Sequence, residues 1–402
     1  MNSSAASAKN EKWILYTLAL IQFTNIMDFM IMMPLGPQLM RTMNFGPAAF
    51  SSVVSSYTIS AAFFGFIGAF LIDRFDRKRA LRTSYLGFTI GTLCCGLAPN
   101  YFLLISARVL TGAFGGVLGA LVLSIVSDLI PSERRGRAMG KVMMAFSVAS
   151  VFGVPFGLFL ANEFSWNAPF VFLAIASLIV GFFIEKNIPP VNAHLNPEKP
   201  RPSPMQMIQN VTRDQNQLRA LGMMACLMLG QFSIIPFLSP YMVSNVGFTE
   251  QQLPYIYLFG GIATMISMPL IGKLSDKHGK LRMFTIGIFV SAVPVLVITN
   301  LPRVSITVAL CMTTFFMIFI SARMVPASAL ASSVAPPASR GSFMSFQSSV
   351  QQLFSGIASL LSGIIVVKAP EGQLLNYNWV GMLAVCFGFI ALFLARKVVS
   401  VS

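Results

Sequence analysis

Three ionisable side chains lie inside long apolar runs of this 402-residue chain: Asp28, Arg108 and Arg323. Of the 13 acidic residues, Asp28 alone falls mid-run. A carboxylate at the centre of a bilayer costs about 2.5–3.5 kcal/mol on insertion scales, so it needs a polar cavity or a cationic partner. Burial favours the neutral carboxyl and a nearby guanidinium favours the charged one. A group held between those influences can take up and release protons. The same residue can instead be half of a fixed ion pair that locks helices together. Arg108 is the evident partner, either swinging with the protonation of Asp28 or snorkelling as a structural cation. No acid lies mid-run in the second half to neutralise Arg323. It pairs with Asp28, meets a polar group across a cavity, or grips an anionic ligand. With Asp28 ionised, the three charges leave the interior at +1, which argues against a purely cationic ligand. Asn25 and Gln231 add polar groups at similar depth and are further candidates for ligand contact.

The composition fits that setting. The chain is 55% hydrophobic and 10% charged, against about 25% charged for a soluble domain. That excludes a soluble enzyme. Twelve apolar runs approach the roughly 20 residues a bilayer span needs. They include 13–35, 101–125, 138–161 and 303–328. The net charge of +15 is distributed by side of the membrane. Of 28 Lys and Arg, Arg41, Arg303 and Lys368 lie on one side, Arg108 and Arg323 lie inside spans, and the other 23 share the N-terminal side. The positive-inside rule accounts for this without nucleic acid as a partner, and places both termini in the cytoplasm. Five cysteines, all within apolar runs and none at metal-ligand spacing, read as buried thiols. No phosphate-binding Gly-rich loop is present, so no nucleotide or other cofactor is expected and the proton gradient is the expected energy source.

Residues 186–216 form the one long polar stretch and carry six prolines. They divide the chain into a six-helix bundle over 1–185, a cytoplasmic linker over 186–216 and a second bundle over 217–402. The halves repeat. Asp73-Arg-Phe-Asp76-Arg-Lys and Asp276-Lys-His-Gly279-Lys are 203 residues apart, and Arg135-Gly and Arg340-Gly are 205 apart. A near-constant offset is the mark of a transporter built from two repeats, with its binding site at their interface.

At these residues the chain resembles the major facilitator superfamily. The family's loop signature, Gly-x-x-x-Asp-Arg-x-Gly-Arg-Lys/Arg, is matched by Asp73, Arg74, Arg77 and Lys78, with Ala69 and Asp76 at its two glycines. In the second half Gly272, Asp276, Lys277, Gly279 and Lys280 match it. Arg108-x-x-x-Gly112 is similar to the family's fourth-helix signature, and Gly153-Val-Pro155-Phe-Gly157 to the signature of its antiporter branch. The first helix, from Asn25 through Asp28 to Pro34, resembles twelve-span drug and sugar exporters driven by protons.

The resemblance implies an all-α integral membrane fold of twelve helices in two pseudo-symmetric six-helix bundles. It implies that Arg108 lines a cavity beside the first helix. It also implies a cytoplasmic latch: Asp73 near the start of the eleventh helix, Arg77 paired with Asp128, and Asp276 in the matching place of the second half. Gly153, Pro155 and Gly157 would bend the fifth helix and let it pack closely against a helix of the other half.

The expected function is proton-coupled export of small amphipathic, drug-like or sugar-like molecules by alternating access, from a monomer in the bacterial inner membrane. Asp28 is the expected coupling residue, tuned by Arg108. The binding residues are Asn25, Asp28, Arg108, Gln231 and Arg323. Two alternatives stay open. One is a symporter or facilitator for an anionic metabolite held by Arg108 and Arg323. The other is a lipid-moving or sensing role.

Overall fold

A computed structural model of the chain describes residues 2–71, 75–192, 209, 211–336 and 340–399. Hydrocarbon offers no partner to backbone N–H and C=O groups, so apolar runs satisfy them locally as helix. The first half holds α1 (Asn2–Ile31), α2 (Gly36–Thr42), α3 (Pro47–Leu71), α4 (Arg77–Gly96), α5 (Tyr101–Leu129), α6 (Ser132–Val148), α7 (Val154–Glu163) and α8 (Ala168–Asn187). The second holds α9 (Gln215–Tyr241), α10 (Leu253–His278), α11 (Lys280–Thr299), α12 (Ile306–Ser332), α13 (Arg340–Ile365) and α14 (Tyr377–Ala395). A short antiparallel ribbon, Val367–Lys368 with Leu374–Leu375, joins α13 to α14.

Among the described residues eleven stretches are long and apolar enough to cross a bilayer. Helix α4 is the twelfth span. Arg77, Lys78, Arg79 and Arg82 at its start lower its mean hydropathy, yet it packs along α5 and α8 within the bundle. Asparagine and aspartate fix several starts by accepting from free backbone donors. Asn100 accepts from Leu103 N at 3.0 Å to begin α5, and Asp214 accepts from Asn216 N at 2.8 Å to begin α9.

The chain forms two compact units. The first comprises Met1–Ile31 and Ser60–Arg201. Its core joins Leu18 and Ile21 of α1, Phe88 of α4, Leu118 and Ile125 of α5, and Val142 of α6. The second comprises Met32–Ile59 and Pro202–Ser402, with a core of Met224, Phe284, Ile288, Ala327, Phe343 and Ala391.

This division differs from the sequence reading in one segment. Met32–Ile59, from the first half, belongs to the second unit. The cause is close packing on α13: a Cβ added to Gly363 would lie 1.8 Å from Ser51 Oγ, and one at Gly356 would lie 2.6 Å from Ile59 Cγ1. Ser359 Oγ donates to Ser51 O at 3.3 Å, and Arg41 Nη2 donates to Glu250 Oε2 at 3.0 Å. The thiols also depart from expectation. Cys95 is buried and Cys226 half-buried, but Cys94, Cys311 and Cys386 are exposed.

Candidate functional site

Asp28 sits one turn before the end of α1, which stops at Ile31 ahead of a turn containing Pro34. Its two carboxylate oxygens have different partners. Arg108 Nη1 of α5 donates to Oδ2 at 2.7 Å, and Thr92 Oγ1 of α4 donates to Oδ1 at 3.1 Å. Asp28 is 0% exposed and Arg108 1%. The approach of α5 to α4 depends on Gly91, where an added Cβ would stand 2.9 Å from Thr111 Cα. One turn back on α1, Asn25 Nδ2 donates to Gly115 O at 3.3 Å, a second tie between α1 and α5.

Thus Asp28, Arg108 and Asn25 come together as the sequence suggests, inside the first unit. Thr92 is the member that sequence reasoning missed, since one threonine in an apolar helix carries no distinguishing spacing. The arrangement is a buried, hydrogen-bonded ion pair. Desolvating two charges is costly, and breaking such a pair by neutralising one partner leaves an uncompensated buried charge.

Arg323 occupies a different environment. It is 2% exposed in α12, with Nε and Nη2 lacking hydrogen-bond partners among the described residues. Its Cα lies 3.1 Å from where a Cβ on Gly287 of α11 would stand, and Nη1 3.7 Å from one on Gly388 of α14. It therefore sits between helices of the second unit. Of the alternatives open for it, Asp28 is held instead by Arg108 and Thr92. Gln231, half-buried in α9, has an Oε1 without a partner among the described residues.

The Gly153-Pro155-Gly157 stretch interrupts the regular α-helical pattern. Pro155 has no N–H to give, and the helix widens into a π-turn over Ala149–Gly153 in which Val154 N–H reaches Ala149 O. The packing partner is a correction to the sequence reading. A Cβ on Gly157 would lie 2.7 Å from Ile31 Cδ1, and one on Gly153 would lie 3.2 Å from Met27 Sδ. The small face is thus filled by α1 of the same half.

In the first basic loop Arg77 pairs with Asp128. Asp73 lies outside the described residues. Asp76, at the signature's second glycine, has φ −54° and needs no left-handed conformation. Its carboxylate caps α4 by accepting from Arg79 N at 2.8 Å and ties down the segment after α8 by accepting from Val191 N at 2.7 Å. Glu185 of α8 adds ion pairs with Lys78 and Arg82, both at 3.4 Å. The second loop is built otherwise. Gly279 has φ +90°, a conformation that favours glycine, and Asp276 is exposed with no ion pair among the described residues.

Twelve spanning helices in two six-helix repeats, with a charge pair enclosed in the first, define a polytopic membrane protein of secondary-transporter architecture. The chain belongs to the Major Facilitator Superfamily, whose profile matches residues 18–227 and again 220–401. It is 23% identical over 381 residues to the MFS-type transporter YbcL of Bacillus subtilis (strain 168), covering 94% of each chain. It is 28% identical over 274 residues to YwfA of the same organism, spanning 64% of that protein's length. It is 28% identical over 254 residues to the multi-drug resistance efflux pump PmrA of Streptococcus pneumoniae, covering 61% of this chain and 62% of that one. The fold is shared with a bacterial homolog of the human lysosomal transporter Spinster in an inward-facing, unoccupied conformation. There the TM-score is 0.79 at 17% identity, over 96% of this chain and 97% of that one. A D-xylose-proton symporter matches with a TM-score of 0.77 at 18% identity, over the same shares of the two chains.

Proposed function

We propose that this transporter exports small amphipathic, drug-like or sugar-like molecules in exchange for protons, with Asp28 as the group that carries the proton. The observation that carries this reading is the enclosed contact of Asp28 with Arg108 and Thr92. Ionised, Asp28 holds α1 to α4 and α5. Protonated, it no longer balances Arg108, and the guanidinium has to find another acceptor or a wetter site. Loading a proton thus weakens one packing arrangement of the first unit, and releasing it restores that arrangement. A substrate that binds only one of the two arrangements is coupled to the proton through their equilibrium. The named function of PmrA supports export of varied compounds. The protein acts as a monomer in the bacterial cytoplasmic membrane, with both termini on the cytoplasmic side.

A second reading, uptake or facilitated passage of an anionic metabolite, is favoured by one observation: the buried Arg323 has unused donors. Proteoliposome flux with cationic, neutral and anionic compounds, with and without a pH gradient, separates the two. Export of neutral or amphipathic compounds driven by an inward proton gradient supports the first. Anion flux lost in Arg323→Gln and indifferent to the gradient supports the second.

A further inference from the structure

An apolar groove of about 290 Å³ runs along the outer face of the second unit, between α10, α11 and α12. Leu270, Met283, Ile286, Val290, Phe319 and Ala322 line it, and Gly287 lets α11 approach α12 beneath it. Leu270, Ile286 and Val290 are exposed, so the groove faces the surroundings of the helices.

The groove has a basic end. Residues seven apart share a helix face, as do residues three or four apart. Lys277 lies on the face of Leu270, Lys280 on that of Met283 and Gly287, and Arg282 on that of Ile286. The two lining helices therefore run directly from apolar groove to cationic rim. With Lys273, four cations face one acid, Asp276, and none of the four is in an ion pair among the described residues.

Among the described residues the first repeat is built differently at the matching positions. At the repeat offset of 203, Arg77 corresponds to Lys280; at 205, Asp128 corresponds to Ser333 and Glu185 to Ile390. Arg77, Lys78 and Arg82 have protein carboxylates as counter-ions. In the second repeat those carboxylates are absent, and the Ser333 hydroxyl donates to Leu330 O at 2.7 Å. The groove differs too. In the first repeat the ring of Phe114 covers Gly87, whose added Cβ would stand 2.5 Å from the ring. Their counterparts Phe319 and Val290 both line the open groove.

An apolar slot with an uncompensated cationic rim on the basic-loop side matches one ligand chemistry. We infer that this face binds an anionic phospholipid, its phosphodiester over Lys277, Lys280 and Arg282 and an acyl chain along Met283, Ile286 and Ala322. The lipid supplies the counter-charge that Asp128 and Glu185 supply in the first repeat.

Native mass spectrometry of the full chain in detergent, titrated with dioleoyl phosphatidylglycerol or dioleoyl phosphatidylcholine, tests this. One phosphatidylglycerol is expected to bind in preference to phosphatidylcholine. Each of Lys277→Gln, Lys280→Gln and Arg282→Gln is expected to weaken it about fivefold, and the triple variant to abolish the preference. Ala322→Phe, which fills the groove and leaves the charges intact, is expected to weaken both lipids. Equal binding of the two lipids by the native chain overturns the inference. So does a preference that survives the triple variant, which places the lipid at the other basic loops. Binding unaffected by Ala322→Phe, or full competition by free glycerol 3-phosphate, reduces the site to a headgroup contact and also overturns it. Lys277 and Arg282 are exposed and Lys280 is half-buried, so thermal unfolding of the Lys280→Gln and triple variants is measured alongside to separate binding from folding.

Discussion

Arg108 Nη1 donates to Asp28 Oδ2 at 2.7 Å, and both side chains are closed off from solvent within the first unit. Each is the other's compensation for burial. Asp28→Leu is expected to cost about 3–5 kcal/mol by stranding the guanidinium. Asp28→Leu with Arg108→Met is expected to recover most of that loss. A double-mutant cycle read by thermal unfolding in detergent measures the coupling. If the double variant falls by the sum of the singles, the two charges do not stabilise each other.

The contacts of Met32–Ile59 on α13 predict a contrast between a close approach and a surface ion pair. Arg41 is 66% exposed in its pair with Glu250, so Arg41→Gln should change stability by less than about 1 kcal/mol. Gly363 has no room for a side chain against Ser51. Gly363→Val should therefore prevent thiol crosslinking between Ser51→Cys and Ser359→Cys, which the native glycine should permit. Undiminished crosslinking would show that the segment does not rely on that approach.

The basic loops make opposite predictions at the same signature position. Asp76→Ala should cost about 1 kcal/mol through loss of the cap, and Asp76→Gly only a few tenths. Gly279→Ala should cost about 1–3 kcal/mol because of its positive φ. Chemical unfolding of the three variants reads this directly, and equal effects at both positions would contradict the assigned conformations.

Gly157 gives a test of the partner of α7. Gly157→Leu should cost about 1–3 kcal/mol by crowding Ile31. Adding Ile31→Ala should relieve part of that cost, which unfolding of the single and double variants measures. No relief would mean that some other helix presses on Gly157.

The fold and its repeat were readable from the chain because bilayer thickness, positive-inside charge and the 203–205 offset act on composition itself. Asp28 and Arg108 stood out as charges where charge is costly. Thr92 did not, because a single hydroxyl can satisfy itself on its own helix and leaves no pattern. The setting of Arg323 was hidden as well. Its sequence position gives depth but not which neighbour faces it, and Gly287 and Gly388 make room for it between helices. The glycines at 153 and 157 announced a close approach without naming the helix approached. Asp76 shows that one signature position can be met by different backbone conformations in the two halves.

Coupling through Asp28 would be read from proton movement in proteoliposomes containing a pH-sensitive dye, with the native protein and Asp28→Asn compared across cationic, neutral and anionic compounds. Compound-dependent proton release by the native protein that vanishes in Asp28→Asn is the predicted result. Proton release that persists in the variant, or substrate flux that is intact in both and never moves a proton, would contradict the claim and leave Asp28 and Arg108 as a structural pair.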